Sequence, residues 1–324
     1  MRLKSNLAAD GALALTTLIW GSTFFMAKEI LNTWPPVAYL VFRFALAAGL
    51  MALALRRQVG GAGRAEWRAG VVLGLLVGGG FALQAAGQVY TTASKSAFVT
   101  GLTTPLVPFI AYAVLRVRPS LENLIGVALA SLGGALILTP QGGETGVNVG
   151  DLLTLAATGL FALHITQLSV YARRFDVRQV AVLQIVVAAA CLSLTWGTFR
   201  AAADLFGIEL VPAFVARESA TLVWDASIVW QLVYLAVVGT LLTFLLWTWG
   251  QSRTSPTHAA IIFSLEPVFA TAFAVAALGA GEWLGGRGLV GAALVFAGII
   301  VSEVRLGRVQ RRAAESPRRD VEAG

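Results

Sequence analysis

Charged side chains are scarce in this sequence: of its 324 residues only 13% are charged, whereas 57% are hydrophobic. A soluble domain carries roughly 25% charged residues, so this composition leaves too little polar surface to cover a core in water. A lipid environment removes that difficulty. Cysteine is nearly absent as well. Because Cys191 stands alone in an apolar run, an intrachain disulfide and a multi-cysteine metal site are excluded.

The motifs of common enzyme classes are also missing. The sequence contains no HExxH, no Walker GxxxxGKS/T, no metal-spaced histidine cluster and no GxSxG with plausible triad partners. The glycine-rich stretch 77–80 lies inside an apolar run, where small residues let helices approach closely and do not bind phosphate. We therefore expect neither enzyme activity nor a cofactor or a metal site.

Long apolar runs fill the sequence instead. A bilayer core about 30 Å thick needs roughly 20 apolar residues per helix, and ten runs approach that length. Polar residues at 21–23 interrupt the first run and nine more runs follow it, so we do not interpret it as a signal peptide. The sequence predicts an all-α integral membrane protein with ten transmembrane helices, at 11–28, 35–55, 70–89, 95–115, 122–139, 151–171, 178–199, 227–249, 257–279 and 287–304.

Basic residues predict the orientation in the membrane. If both termini lie on one side, 18 of the 24 lysines and arginines fall in segments on that side, five fall on the other side, and Arg43 lies within a helix. Cytoplasmic loops are enriched in Lys and Arg, so we expect both termini in the cytoplasm and the protein in the cell (inner) membrane. This orientation explains the net charge of +7 more simply than nucleic-acid binding does. Residues 305–324 form a basic tail that we expect to be cytoplasmic and disordered.

An internal repeat divides the chain into halves at 11–139 and 151–304. At offsets of 141, 162, 163 and 165 residues, ordered matches include Trp20 with Phe161, Arg43 with Gln184, Gln88 with Gln251, Thr91 with Thr254, and Thr104-Pro105 with Glu266-Pro267. Each half holds five predicted helices, and because five is odd the halves must have opposite orientations. Inverted repeats are typical of secondary transporters. The linker at about 200–226 is expected to hold either a short interfacial helix or a plain surface loop.

Two charged residues are predicted at membrane depth, where an ionisable group is costly unless it is paired or hydrated. Arg43 lies about eight residues into the second helix and acts either as a clamp for an anion or as a structural tie between helices. Glu266 lies near the middle of the ninth helix, where it could carry a proton, bind a substrate ammonium group, pair with Arg43 or hydrogen-bond to a helix. Pro267 beside it and Pro105 in the symmetric fourth helix are expected to bend both helices around the centre.

The remaining candidates are polar and aromatic side chains in the same runs. We expect His164 either to titrate near neutral pH in a hydrated site or to be a hydrogen-bonded structural residue. Glutamines supply further donors and acceptors, and large aromatic rings could wall an apolar part of a solute or act as packing and interface anchors. The predicted solute-binding residues are Trp20, Arg43, Gln84, Gln88, Tyr90, Thr104, His164, Gln167, Trp247 and Glu266.

Two groups of residues carry a resemblance to a known family. They are residues 18–25 (LIWGSTFF), Lys28, Pro35-Pro36 and Arg43 near the start, and residues 264–270 (SLEPVFA), Gly281-Glu282 and Gly291 near the end. This pattern resembles the EamA-type transporters of the drug/metabolite transporter (DMT) superfamily, over roughly residues 11–304. The resemblance implies two inverted EamA repeats around a central cavity, lined by the first, third, fourth, sixth, eighth and ninth helices. The second half departs from the pattern, with Phe161-Ala162 in place of the Trp-Gly pair, and the first half has Arg118-Pro119-Ser120 in place of a Gly-Glu pair.

The resulting prediction is a secondary transporter that works without ATP hydrolysis, by alternating access of the two halves. We expect it to export an amino acid or a related small metabolite, with Arg43 attracting a carboxylate and Glu266 an ammonium group. Drug or toxic-metabolite efflux and metabolite uptake are alternatives. A membrane-embedded enzyme acting on a lipid-linked substrate and a non-transporting interaction protein are alternatives of other classes. The expected partners are the solute, the lipid bilayer and protons as a coupling ion, and the protein is expected to be a monomer or a homodimer.

Overall fold

The computed structural model describes residues 7–116, 118–138, 147–253, 262–263 and 265–304, and the regular structure of these residues is helical throughout. The predicted basic tail at 305–324 lies outside the described residues. The helices are α1 (Leu7–Leu31), α2 (Pro36–Ala54), α3 (Arg56–Gly60), α4 (Arg64–Gln88), α5 (Ala93–Gly101), α6 (Thr103–Leu115), α7 (Leu121–Leu138), α8 (Val149–Arg174), α9 (Val177–Phe206), α10 (Ala213–Arg217), α11 (Ala226–Ala236), a π segment (Val237–Leu242), α12 (Thr243–Gln251), α13 (Glu266–Leu278), a 3₁₀ turn (Ala280–Glu282) and α14 (Gly285–Val304).

Seven stretches are long and apolar enough to span a membrane: α1, α2, α4, α5 with α6, α8, α9, and α11 with α12. Three shorter helices, α7, α13 and α14, are also apolar and occupy the positions of the fifth, ninth and tenth predicted runs. Large aliphatic side chains such as Leu53 and Leu194 are 71% and 70% exposed, a surface that suits lipid. The chain is therefore a multi-pass helical membrane protein.

Two of the long helices are interrupted. The fourth run, predicted as one helix over 95–115, is divided at Leu102 into α5 and α6. Pro105 is the third residue of α6, and because proline has no N–H, the Gly101 carbonyl group loses its helical hydrogen-bond partner. The eighth run contains the π segment, where the Thr240 hydroxyl donates to the Leu235 carbonyl oxygen at 2.8 Å. Such π segments occur frequently at functional sites.

Helices of the first half pack against helices of the second half through closely spaced backbones. Helix α4 lies against α8 and α9, α2 against α9, α1 against α12 and α13, and α7 against α14. The closest approaches are at glycines: a Cβ at Gly74 would lie 2.6 Å from Val187 Cβ, and one at Gly133 would overlap the Gly291 carbonyl group. Small residues permit such close packing between membrane helices. The core therefore lies between the two halves of the sequence.

The linker of residues 207–225 covers one end of the bundle, which we call the linker end. The Trp34 indole donates to the Val223 carbonyl oxygen at 2.6 Å. The Glu218 carboxylate accepts hydrogen bonds from the N–H groups of Val37 and Ala38 at 2.9 and 3.0 Å, so it caps the first turn of α2. The linker also contains the short helix α10, one of the two structures expected for it.

Candidate functional site

A central cavity lies between the two halves. The space inside it, including the part open to solvent, is about 910 Å³, and its walls come from α1, α4, α5, α6, α8, α12, α13 and Phe263. These helices correspond to the first, third, fourth, sixth, eighth and ninth predicted spans. The predicted binding residues among its lining are Trp20, Gln84, Thr104, Trp247 and Glu266.

Aromatic rings form much of the cavity wall. The ring centroid of Trp20 lies 5.0 Å from that of Trp247 and 5.7 Å from that of Phe263, and Phe244 lies 5.4 Å from Trp247. Edge-to-face and tilted pairs of this kind hold large rings in fixed positions. The wall is consequently apolar and well packed, and it suits an apolar or aromatic part of a solute.

Glu266 is the one ionisable side chain among the described residues that line this cavity. It is the first residue of α13 as described, and Pro267 follows it. Within the described ranges, no hydrogen bond or ion pair joins its carboxyl group to another residue. The start of α13 meets the break in the other half, since a Cβ at Gly101 would lie 3.0 Å from Pro267 Cγ. Glu266 therefore presents a carboxyl group without a described partner to the cavity, where the start of α13 meets the end of α5.

A smaller side chamber lies beside the central cavity, and the space inside it, including any part open to solvent, is about 250 Å³. It contains two further predicted residues, Arg43 and Gln88. Four residues line both spaces, which are therefore adjacent: Thr23, Phe24, Phe81 and Gln84. Gln84 therefore lies in the wall that the central cavity and the chamber share.

Three neutral groups hold the Arg43 guanidinium in this chamber. Nε donates to Thr240 Oγ1 at 2.8 Å, Nη1 to the Tyr39 hydroxyl at 2.9 Å, and Nη2 to the Gly239 carbonyl oxygen at 3.1 Å. The guanidinium carbon also lies 4.8 Å from the centre of the Phe81 ring. Arg43 therefore ties α2 to the π segment. Since no carboxylate among the described residues pairs with Arg43, and arginine keeps its proton in proteins, the chamber holds an unpaired positive charge.

Three predicted residues lie outside both spaces. His164 is fully buried on α8, with Nε2 2.7 Å from Gln184 Oε1 and its ring centroid 5.0 Å from that of Trp247. This position behind the cavity wall fits the structural interpretation of His164. Gln167 is half-buried on α8 and lines neither space. Tyr90 is 53% exposed at the end of α4.

Sequence reasoning did not single out several residues that complete the site. Tyr39 lies four residues before Arg43 on the same helix face, a spacing that could have indicated their contact. Phe244 is the repeat partner of Phe81, so the repeat could have indicated it as well. Gly239 and Thr240 bind Arg43 only through the π segment, which no residue pattern indicates.

The sequence of this chain matches a known protein family and several known proteins. The family described as "EamA-like transporter family" matches the chain twice, at residues 7–139 and 148–303. An "Uncharacterized transporter" of Archaeoglobus fulgidus is 29% identical over 302 residues, which cover 93% of this chain and 87% of the relative. "Uncharacterized inner membrane transporter YedA" of Escherichia coli (strain K12) is 25% identical, over 94% of this chain and 92% of the relative.

Two further comparisons agree with these. "Uncharacterized transporter YyaM" of Bacillus subtilis (strain 168) is 24% identical, over 88% of this chain and 90% of the relative. A solved crystal structure of a protein with 18% identity superposes with a TM-score of 0.66, over 94% of this chain and 100% of that chain. At this identity the superposition shows a shared fold.

Proposed function

The chain belongs to the EamA-like transporter family, and we propose that it is a secondary transporter for a small zwitterionic metabolite, an amino acid or a related compound. The observation that carries this proposal is a pair of oppositely charged side chains, neither paired with another described residue, in two adjacent spaces. Glu266 lines the central cavity, and Arg43 lines the side chamber. The proposed solute carries the two complementary charges on one small molecule.

The energetic argument starts from the cost of an ionisable group that lacks a partner inside a membrane protein. A solute with an ammonium group and a carboxylate would compensate Glu266 and Arg43 at the same time. The ammonium group would bind the Glu266 carboxylate and the faces of Trp20 and Trp247, by charge pairing and cation–π attraction. The carboxylate would extend past Gln84 towards Arg43.

The double family match supports a two-halved transporter that works by alternating access. The proposed halves are residues 11–139 and 151–304, with five spans each, ten in all, and opposite orientations. They would rock about the central cavity without ATP hydrolysis. The proposed setting is the inner membrane, with both termini and the tail at 305–324 in the cytoplasm, so that the linker end faces outward. We assign the direction of transport as export, with Glu266 carrying a proton on the return step.

Solute flux in proteoliposomes tests this function. The purified full chain would be reconstituted with labelled amino acids, simple amines or simple carboxylates inside, and efflux would be followed with and without a pH gradient. A zwitterion should be transported, and its flux should depend on the gradient. Glu266→Gln and Arg43→Gln should each reduce the flux roughly tenfold or more, because each loses a charge-assisted hydrogen bond to the solute.

Arg173→Gln and Glu209→Gln are matched controls, because both side chains are exposed. They should transport at the wild-type rate. If both cavity variants are inserted in the membrane and still transport normally, the zwitterion assignment is wrong. A flux that does not respond to the pH gradient would remove the proton step alone.

Efflux of a cationic amine is a second candidate function, and the burial of Arg43 favours it. Arg43 is only 2% exposed and already donates three hydrogen bonds. A solute in the central cavity therefore meets Glu266 and the aromatic rings before it meets Arg43. For such a solute Glu266→Gln should abolish flux, whereas Arg43→Gln should leave it unchanged.

A further inference from the structure

A cluster of polar contacts joins the two halves at the linker end, beside the turn between α4 and α5. One carboxylate oxygen of Asp151, on α8, accepts a hydrogen bond from the Thr91 hydroxyl at 2.8 Å. The other oxygen lies 3.2 Å from Lys95 Nζ and accepts a hydrogen bond from the Asn148 N–H at 3.1 Å. The Asp151 and Lys95 side chains are 1% and 10% exposed. We call Thr91, Lys95 and Asp151 the clasp.

Two more charged side chains hold the same turn by its backbone. Glu282, in the 3₁₀ turn before α14, accepts hydrogen bonds from the N–H groups of Ala93 and Ser94 at 3.2 and 2.8 Å, at the start of α5. Lys28 of α1 donates to two carbonyl oxygens at the end of α4 and in the turn, at 2.6 and 2.8 Å. The turn is therefore fixed by charged residues from both halves.

Helix α5 is a short, separate helical unit that is bounded at both ends. It has nine residues, begins after the cap residue Thr92 and ends before the break at Leu102. Thr100 and Gly101, at its far end, line the central cavity. A movement of α5 away from α8 about Leu102 would open the cavity towards the linker end. The clasp is the charged contact that opposes this movement.

The internal repeat gives an independent reason to regard this contact as one that opens. A Cβ at Gly87 would lie 2.6 Å from the Gly150 carbonyl oxygen at the linker end. At the opposite end, a Cβ at Gly250 would lie 3.3 Å from the Ala9 carbonyl oxygen. Offsets of 163 and 141 residues relate these two pairs, so the same contact exists twice and is tighter at the linker end. In a fold of two equivalent halves, equivalent contacts exchange when the halves exchange conformations.

We propose that the clasp is the latch of a gate at the linker end, which holds the cavity closed there and breaks once in each transport cycle. The inference rests on the proposed transport function. Breaking the Lys95–Asp151 pair at the end of the bundle costs less than breaking a pair in the lipid interior, because water hydrates both charges once α5 moves. The offset of 141 relates Asp151 to Asp10, in the first turn of α1, so the opposite end carries an acidic residue at the equivalent position.

Access to the cavity tests the latch without any transported solute. In a Cys191→Ser background, Thr100→Cys places a reporter thiol on the α5 wall of the cavity. Intact cells and inverted membrane vesicles that contain the full chain would be treated with a membrane-impermeant maleimide, and the labelling rate would be measured. Asp151→Asn and Lys95→Met should each raise the rate from the linker-end side roughly tenfold, because a charge-assisted bond is lost. The rate from the opposite side should not rise.

A mild variant keeps this test decisive. Thr91→Val removes only the hydrogen bond from Thr91 to Asp151 and should give a smaller rise. The latch would be overturned if neither clasp variant changed the labelling rate in cells or in inverted vesicles. This conclusion requires that the variant protein elutes as one species on gel filtration. An equal rise on both sides at once would also overturn the latch, since that indicates general loosening. A chain that labels as expected but transports no zwitterion refutes the substrate assignment and supports the latch.

Discussion

Replacing Gly87 with alanine should push α4 away from α8 and destabilise the closed linker end. The new Cβ would lie 2.5 Å from the Thr154 hydroxyl oxygen and 2.6 Å from the Gly150 carbonyl oxygen, whereas real Cβ contacts are rarely closer than 3.0 Å. The helices must therefore separate by several tenths of an ångström. Because the Gly150 carbonyl belongs to the backbone, no side-chain rotation relieves this overlap. Overpacking of this kind costs about 1–3 kcal/mol.

Gly250→Ala is the matched control from the second half, since the offset of 163 relates it to Gly87. Its new Cβ would lie 2.9 Å from Leu13 Cγ and Cδ2 and 3.3 Å from the Ala9 carbonyl oxygen. The closest atoms belong to a side chain, and the backbone contact needs an adjustment of only a few tenths of an ångström. The cost should therefore be smaller than that of Gly87→Ala.

Maleimide labelling of the Thr100→Cys reporter measures the difference between the two variants. A cost of about 1–3 kcal/mol that falls on the closed state alone lowers its population about 5- to 150-fold relative to the open state. Gly87→Ala should thus label faster from the linker-end side, whereas Gly250→Ala should label at the reference rate. Thermal unfolding in detergent shows whether either variant loosens the whole fold. Equal labelling of the two variants would refute the reasoning, because the two contacts would then be equally tight.

Two further predictions concern stability. Gly133→Ala should lower the unfolding temperature in detergent, because its Cβ would overlap the Gly291 backbone where α7 meets α14. Gly49→Ala is the control and should not lower it, because the space around Gly49 is open. An equal drop in both variants would contradict this packing. Burial raises the pKa of Glu218 despite the two N–H bonds that it accepts, so the folded state binds that proton more tightly than the unfolded chain. This stabilisation is complete at low pH and is lost as the pH rises through the native pKa, so the advantage of the wild type over Glu218→Gln in unfolding temperature should shrink as the pH rises above the ordinary glutamate pKa of about 4. An advantage that grows as the pH rises would mean that the N–H bonds outweigh the burial.

The apolar pattern predicted the ends of a helix best where the helix ends together with its apolar run. The second run, predicted at 35–55, is the helix Pro36–Ala54. The seventh run, predicted at 178–199, belongs to the longer helix Val177–Phe206. Arg200 and Asp204 end the apolar run there, but they do not end the backbone hydrogen bonding, which continues to Gly207 at positive φ. The length of a helix beyond the bilayer is therefore not encoded in its apolar pattern.

The charged residues of the site and those of the linker end differ in how far the sequence could predict them. Arg43 and Glu266 are lone charges inside apolar runs, and that isolation marks them. Lys95 and Asp151 lie near the ends of their runs, where charges are ordinary, so neither is distinctive on its own. Only the fold brings these two within 3.2 Å of each other. Contacts between residues that are distant in sequence, and the π segment that binds Arg43, required the structure.

On the proposed mechanism, helix α5 couples the solute site to the latch. Its Gly101 end lies against Pro267, next to Glu266, and its other end carries Lys95. Because Gly101 has no side chain that could absorb a displacement of Pro267, a shift at Glu266 reaches the α5 backbone. A ligand can shift a conformational equilibrium only by its difference in affinity for the two states. The free energy of solute binding at Glu266 must therefore offset the free energy lost when the clasp breaks. A carrier with an empty site and a charged Glu266 has nothing to offset that loss. Its linker end therefore stays closed until a solute or a proton neutralises Glu266.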